Sequence, residues 1–395
     1  MESVRIADIC SQVYSGGTPT STNSSYYDGG IPWLNTNEVN FCNIYKTNRT
    51  ISEEGLKHSA AKFVPVNTII VAMYGVTAGR SAIAKIPLTT NQACCNLVID
   101  SKKANYQYVY YFLKQQAAHL NSLANGGAQQ NLNSLLIKKY SISLPSLKEQ
   151  DKIASILSVY EDLIEKNNRK IAILREMAEE LYKEWFVRRK SNQWPIVKMR
   201  ELGYQTESGK RPKGGIDDSL IEGVPSLGAE VIDKLGTFDF SDVKLVPEDF
   251  YQSMKKGIGK DKDILLYKDG AYIGKITLFM DNFPYEKYTV NEHVFLIRAN
   301  NKLYQYYLYF TLNQQQYFTQ MQNLNRNAAQ PGLTPSDIDI VKLCKPDEEI
   351  IKKFNRVIEP MLHSIFTIAK QNNILKTQRD LLLPRLMSGK LEVRA

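Results

Sequence analysis

The chain has 395 residues, enough to bury more than one core, and its 43% hydrophobic and 23% charged residues are ordinary for a soluble globular protein. No apolar run reaches a membrane span of roughly eighteen residues, no apolar signal stretch follows Met1, and neither the five cysteines nor the four histidines show ligand spacing, which argues against a membrane protein or a metalloprotein and for a reduced, cytoplasmic one. The net charge of +9 suits a nucleic-acid partner without requiring one; 23 tyrosines, with abundant asparagine and glutamine, add side chains that stack and that bond base edges and phosphates.

In chain order the predicted elements come twice. Gly16-Gly17-Thr18-Pro19 is a loop, followed by Gly30-Ile31-Pro32; Val64 to Met73 reads as a strand leading to Gly75 and Gly79-Arg80; Asn105 to Leu123 reads as a helix rich in tyrosine and glutamine. Ala128-Gln129, Leu132 and Pro145 then lead into a long periodic segment. The same series returns as Gly209-Lys210-Arg211-Pro212, Gly223-Val224-Pro225, a strand from Asp263 to Tyr267, Gly270 and Gly274-Lys275, a helix from Asn301 to Met321, Ala329-Gln330, Leu333 and Pro346. The offset drifts from 193 residues (Ser15 to Ser208) to 201 (Pro145 to Pro346), as loop insertions allow, so a whole domain is duplicated and two related binding sites are expected.

Each copy ends in heptads. Ile153, Leu157, Tyr160, Ile164, Asn167, Ile171, Leu174, Ala178, Leu181 and Trp185 alternate steps of four and three, and Phe354, Ile358, Met361, Ile365, Ile368, Asn372, Leu375, Arg379, Leu382 and Leu386 repeat the pattern. A helix–helix seam explains two such runs better than two amphipathic helices that each lie on their own domain. Ser146 with Glu149 forms a capping box at the first start, and Pro346-Asp347-Glu348-Glu349 places carboxylates at the second; Arg188-Arg189-Lys190 before Trp194-Pro195, and Pro384 with Ser388-Gly389, mark the exits. At 1.5 Å per residue such a seam is a rigid spacer of roughly 48 Å. Asn167 is fifth of ten seam positions and Asn372 sixth, so a fully overlapped antiparallel pair sets them face to face. They then either bond each other and fix the register or sit at a solvated edge.

No catalytic apparatus is legible. Gly270 to Lys275 is one residue short of a phosphate-binding loop and is followed by Ile276; Gly257-Ile258-Gly259 has no third glycine; Asn282-Phe283-Pro284-Tyr285 lacks the first proline of the amino-methyltransferase tetrapeptide and reads as a turn.

The duplicated half, Gly16-Gly17-Thr18-Pro19, Gly126-Gly127 with Gln129 and Leu132, the helix opening Leu144-Pro145-Ser146-Leu147-Lys148-Glu149-Gln150 and the ending Leu382-Leu383-Pro384-Arg385-Leu386-Met387-Ser388-Gly389 together resemble the specificity subunit of Type I restriction-modification systems, over essentially the whole chain. The second copy departs from that pattern at Asn325-Arg326-Asn327-Ala328 and at Lys345-Pro346-Asp347-Glu348-Glu349. The resemblance implies an α+β fold with two similar mixed α/β target-recognition domains joined by two long helices in an antiparallel coiled coil. The boundaries expected are 1–146 for the first target-recognition domain, 147–190 for the first spacer helix, 191–346 for the second target-recognition domain, and 347–395 for the second spacer helix and C-terminal tail. It also implies a non-catalytic reader of a split, asymmetric sequence in double-stranded DNA. Two methyltransferase subunits would carry S-adenosylmethionine, which this chain would not bind, and a motor-nuclease subunit would join for cleavage. A self-sufficient methyltransferase or a coiled-coil adaptor that reads no DNA are the competing readings.

Candidate DNA-contacting residues lie in matching polar loops. They are Thr18, Thr20, Tyr74, Arg80, Asn91, Gln92, Gln129, Gln130 and Asn131 in the first copy, and Lys210, Arg211, Lys213, Lys268, Lys275, Asn291, Arg326, Asn327 and Gln330 in the second. Arg80 and Lys275 occupy equivalent positions after a glycine and suit phosphate clamps.

Overall fold

The structure, a computed structural model, describes residues 2–125, 132–270, 272–324 and 332–392. The chain divides into two compact units: Met1–Asp162 together with Lys376–Ala395, and Leu163–Leu375.

In the first unit an antiparallel series runs Cys10–Ser15, Cys94–Ile99, Ile69–Ala72, Ser81–Ala84. Alternation at period two sends its side chains to two cores. Ile69, Val71, Ile83 and Leu97 join Tyr108, Leu113, Ile153 and Leu157 on the helical side, whereas Ile70, Ala72, Ala82 and Ala84 face Leu34, Val64 and Leu88. That opposite layer is a smaller sheet in which Tyr27–Leu34 pairs antiparallel with Arg49–Ile51 and parallel with Leu88–Thr90. The expected strand from 64 to 73 is in fact two. Phe63–Val64 pairs into the smaller sheet, Ile69–Ala72 into the larger, and Asn67 turns the chain between them at φ +68°.

The second unit repeats this topology. Tyr204–Ser208, Val294–Ala299, Asp263–Tyr267 and Ile276–Phe279 form the antiparallel series, and Val224–Leu227 pairs antiparallel with Leu245–Val246 and parallel with Thr289–Val290. Ile264, Leu266, Ile276 and Ile297 face one core, Leu265, Phe279, Val294 and Leu296 the other. The expected single helices are each broken in two, into Tyr106–Gln115 and Ala117–Asn125, and into Gln305–Leu312 and Gln315–Leu324.

The two seam helices span Leu147–Lys183, continued by a π-turn over Glu184–Arg188, and Glu348–Met387. The capping box forms: the Ser146 backbone N–H donates to Glu149 at 2.9 Å, and the Glu149 N–H donates to the Ser146 hydroxyl at 3.3 Å. Gln150 is buried beside it, accepting from the Asn105 N–H at 2.9 Å and donating to the Pro145 carbonyl at 2.9 Å; Ile351, buried at the equivalent place in the second copy, replaces that polar tie with packing. Pro384 does not end the second helix, which runs through it, and through Pro360, to Met387 before Gly389 turns at φ +71°.

All twenty seam positions are buried or half-buried. The helices pair antiparallel in each unit. Glu161 meets Arg379 in the first; Asn167 meets Asn372, and Tyr182, Trp185 and Phe186 pack on Phe354, in the second. Asn167 donates to the Asn372 carbonyl oxygen at 2.9 Å, and the Asn372 amide donates to Asn168 at 2.8 Å. Two acceptors and two donors are thus satisfied at a site where Asn372 is only 5% exposed. Replacing Asn372 alone by leucine leaves Asn167 facing a hydrocarbon and should cost about 1–2 kcal/mol. The double change Asn167→Leu with Asn372→Leu should recover most of that loss while freeing the register. Melting curves that rank the single variant below both the double variant and the parent would establish this.

No disulfide links any of the five cysteines. Burial pushes the Cys95 thiol up to about 12, so it stays protonated at neutral pH. No described helix is long and apolar enough to cross a membrane, and no metal-binding cluster occurs among the described residues.

Candidate nucleic-acid interface

In each unit three loops meet beside the larger sheet. In the first, the Gly16 N–H donates to the Cys94 carbonyl at 3.2 Å and the Gly17 N–H to the Thr90 carbonyl at 2.9 Å, which fastens the 16–20 loop to the 91–93 loop. The hairpin turn joins them through the Met73 N–H, which donates to Ala93 at 2.9 Å. The second unit matches: the Lys268 N–H donates to His293 at 3.1 Å, and Gly209 lies so close to Val290 that a Cβ there would come within 1.6 Å of its carbonyl oxygen. At Gly16 a Cβ would meet Thr90 at 2.1 Å, so glycine is required at this place in both copies. The hairpin turns also correspond bond for bond: Gly79 N–H to the Ala72 carbonyl and Gly274 N–H to the Tyr267 carbonyl, both 2.9 Å, with positive φ at each glycine.

On this shared frame the side chains differ. In the first unit Thr18 is exposed and its hydroxyl donates to the Gln92 side-chain oxygen, while the Arg80 guanidinium donates to Asn40 at 2.8 Å. Tyr74 is 38% exposed, and Thr20 is exposed at the loop edge. A neighbouring cleft of about 370 Å³ is lined by Asn35, Asn37, Asn48, Arg49 and Asn91. In the second unit more of these places carry ionisable side chains. Arg211 pairs with Glu292 at 3.2 Å, His293 with Asp269 at 3.0 Å, and Lys275 stands 3.9 Å from Asp233. Lys213 is exposed, the Lys210 ammonium lies 5.5 Å over the Phe250 ring, and that of Lys268 lies 4.8 Å over Phe295. A cleft of about 570 Å³ opens here, lined by Glu230, Tyr267, Asp269, Tyr272, Lys275 and His293 among others.

Asn91 and Asn291 build the frame. The side-chain oxygen of Asn91 accepts from the Ala93 N–H at 3.2 Å and that of Asn291 from the His293 N–H at 2.9 Å; each holds its loop in an Asx turn, and Asn291 is 4% exposed. Beneath the second face Arg298 grips Asp263 at 2.5 and 2.6 Å and donates to the Ile258 carbonyl at 2.8 Å, securing the Gly257 turn on which Gly209 rests. Burial pushes the Asp263 carboxyl above its usual range against the pull of that guanidinium. Gln129, Gln130, Asn131, Arg326, Asn327 and Gln330 lie outside the described residues.

Sequence reading alone missed Asn35, Asn40, Glu230, Asp269, Glu292 and His293. Glu292-His293 follow Asn291 just as Gln92-Ala93 follow Asn91, so an alignment of the two copies carries a signal for the last two. Asp269 precedes Gly270 just as Tyr74 precedes Gly75, and Asn35, Asn40 and Glu230 closely follow Gly30-Ile31-Pro32 and Gly223-Val224-Pro225, but at none of these places do the two copies carry the same side chain.

A duplicated α+β unit, one loop face per copy and paired long helices define a two-site recognition subunit. Residues 1–175 match the family described as the Type I restriction modification DNA specificity domain. The chain is 30% identical to the Type I restriction enzyme MjaIX specificity subunit of Methanocaldococcus jannaschii, over 98% of this chain and 93% of that one. It is 23% identical to the MjaVIII specificity subunit of the same organism, over 100% and 93%. The crystal structure of the Type I restriction-modification S subunit from M. genitalium shares its fold, with a TM-score of 0.61 at 19% identity over 98% of this chain and 95% of that one. The chain belongs to the family of Type I restriction-modification specificity subunits, which recognise DNA sequence.

Proposed function

We propose that each loop face reads one half of a bipartite, asymmetric DNA target, and that the chain thereby directs adenine methylation by two methyltransferase subunits. S-adenosylmethionine is bound by those partners, and a motor-nuclease subunit joins them for cleavage. The chain itself supplies no catalytic group and works in the cytoplasm. The observation that carries this reading is one loop frame built twice and furnished with different side chains, as two different half-sites require. Equilibrium binding to a randomised duplex pool, at several salt concentrations and with or without the methyltransferase partner, tests it. Selection of two constant half-sites separated by a fixed unread spacer is expected; sequence-independent binding would reject it.

Arg80 and Lys275 follow the hairpin glycines of the two faces and are assigned to phosphates. Charge reversal, Arg80→Glu or Lys275→Glu, should weaken binding to all duplexes alike and lower the slope of log affinity against log salt by about one. Loss of preference at a single base pair with general affinity intact would refute that assignment.

A further inference from the structure

Two side-chain pairs occupy the same place in the two loop frames. Thr18 is the third residue of the loop that Gly16 opens, Arg211 the third of the loop that Gly209 opens; Gln92 and Glu292 each follow the Asx-turn asparagine. The Thr18 hydroxyl donates to Gln92, and Arg211 forms an ion pair with Glu292. We propose that this pair is a specificity-determining unit in each face, and that the Arg211–Glu292 pair reads a guanine in the second half-site. The inference rests on the DNA-reading function proposed above.

The chemistry follows from which edge of the guanidinium is occupied. Glu292 engages Arg211 through Nε, at 3.2 Å, so the end-on edge made by the two Nη groups stays free. That edge presents two parallel N–H donors, the complement of O6 and N7 of guanine in the major groove. The ion pair with Glu292 draws the arginine toward one side of the loop, so less side-chain freedom is lost on binding. A carboxylate on a DNA-facing loop would repel phosphates, and its ion pair with Arg211 offsets that charge. Both side chains are 41% exposed, so the pair is held yet reachable. In the first face the pair is neutral. The Thr18 hydroxyl donates to the Gln92 oxygen, leaving the Gln92 amide as a free donor that does not match guanine's paired acceptors.

The test uses the full chain with its methyltransferase partner and selection from a randomised duplex pool. The parent is expected to select an invariant guanine in one half-site. Arg211→Lys keeps the charge and removes the fork, and should cut the preference at that position by about ten- to a hundred-fold while general affinity stays within about three-fold. Glu292→Gln should relax the same position. The double change Thr18→Arg with Gln92→Glu should introduce a guanine preference into the other half-site, an outcome that loss of folding cannot mimic. An Arg211→Lys variant that keeps the parent's preference at every position, or that loses affinity for all sequences alike, overturns the proposal. A parent that selects no half-site at all would reject DNA reading itself, which separates the two failures.

Discussion

Glu161→Ala is expected to destabilise the first unit by about 3–5 kcal/mol, because it leaves two buried cations without their shared anion. The Lys114 ammonium lies 2.7 Å from the Glu161 carboxylate, and the Arg379 guanidinium reaches both of its oxygens at 3.1 Å. The Lys114 and Arg379 side chains are only 12% and 11% exposed. Burial holds the Lys114 ammonium below its ordinary range despite the carboxylate, so little stands between its charged form and a large desolvation cost. Asp380 pairs with Arg379 but is 57% exposed, and it acts on Lys114 only through its charge, as a weaker influence than Glu161. Hydrogen exchange over Tyr106–Gln115, the helix that carries Lys114, should accelerate by about a hundred- to a thousand-fold. Removing all three charges together, Lys114→Met, Glu161→Leu and Arg379→Met, should restore or raise the melting point, as apolar replacements of buried ion pairs do. An alanine variant that exchanges at the parent's rate would show that water reaches both cations.

Phe354→Ala should cost the second unit about 3–5 kcal/mol. Phe354 is fully buried, with ring centroids at 4.9 Å from Phe186, 5.9 Å from Phe310, 6.1 Å from Trp185 and 6.4 Å from Tyr182. Its removal empties the centre of an aromatic cluster that joins the paired helices to the sheet-bearing part of the same unit. Neighbouring rings cannot collapse into the space, because the Tyr182 hydroxyl is bonded to Thr311 at 2.9 Å and the Tyr307 hydroxyl to the Cys344 carbonyl at 2.6 Å. Thermal unfolding checks the size of the loss, with Phe63→Ala, at a site 49% exposed, as the control that should change little.

The seam was legible because its signal is local. A 3.5-residue period needs no knowledge of the partner, and the ordinal positions of two asparagines are enough to set them opposite each other. What the period missed lies where a third element packs on the helices. Tyr182 and Phe186 are more buried than the heptad positions Leu181 and Trp185, since the sheet-bearing part of the second unit covers that flank. The loop faces were legible as polar repeats, but not in their pairings. Arg211 and Glu292 are 81 residues apart and Thr18 and Gln92 74 apart, and no periodicity links such positions. Asn91 and Asn291, candidates for DNA contact by residue type, use their side-chain oxygens to shape the fold's own turns. Composition is blind to that distinction.

The first unit is assembled from both ends of the chain, whereas the second, Leu163–Leu375, is contiguous. On a ribosome the unit that begins first is therefore completed last. Ile153 and Leu157 emerge early, yet Leu383, Leu386 and Met387, which close the same core, arrive only after the whole second unit has been made. Translation order thus leaves an apolar stripe of the first unit uncovered for more than two hundred residues of synthesis, the interval in which a nascent chain most needs a chaperone.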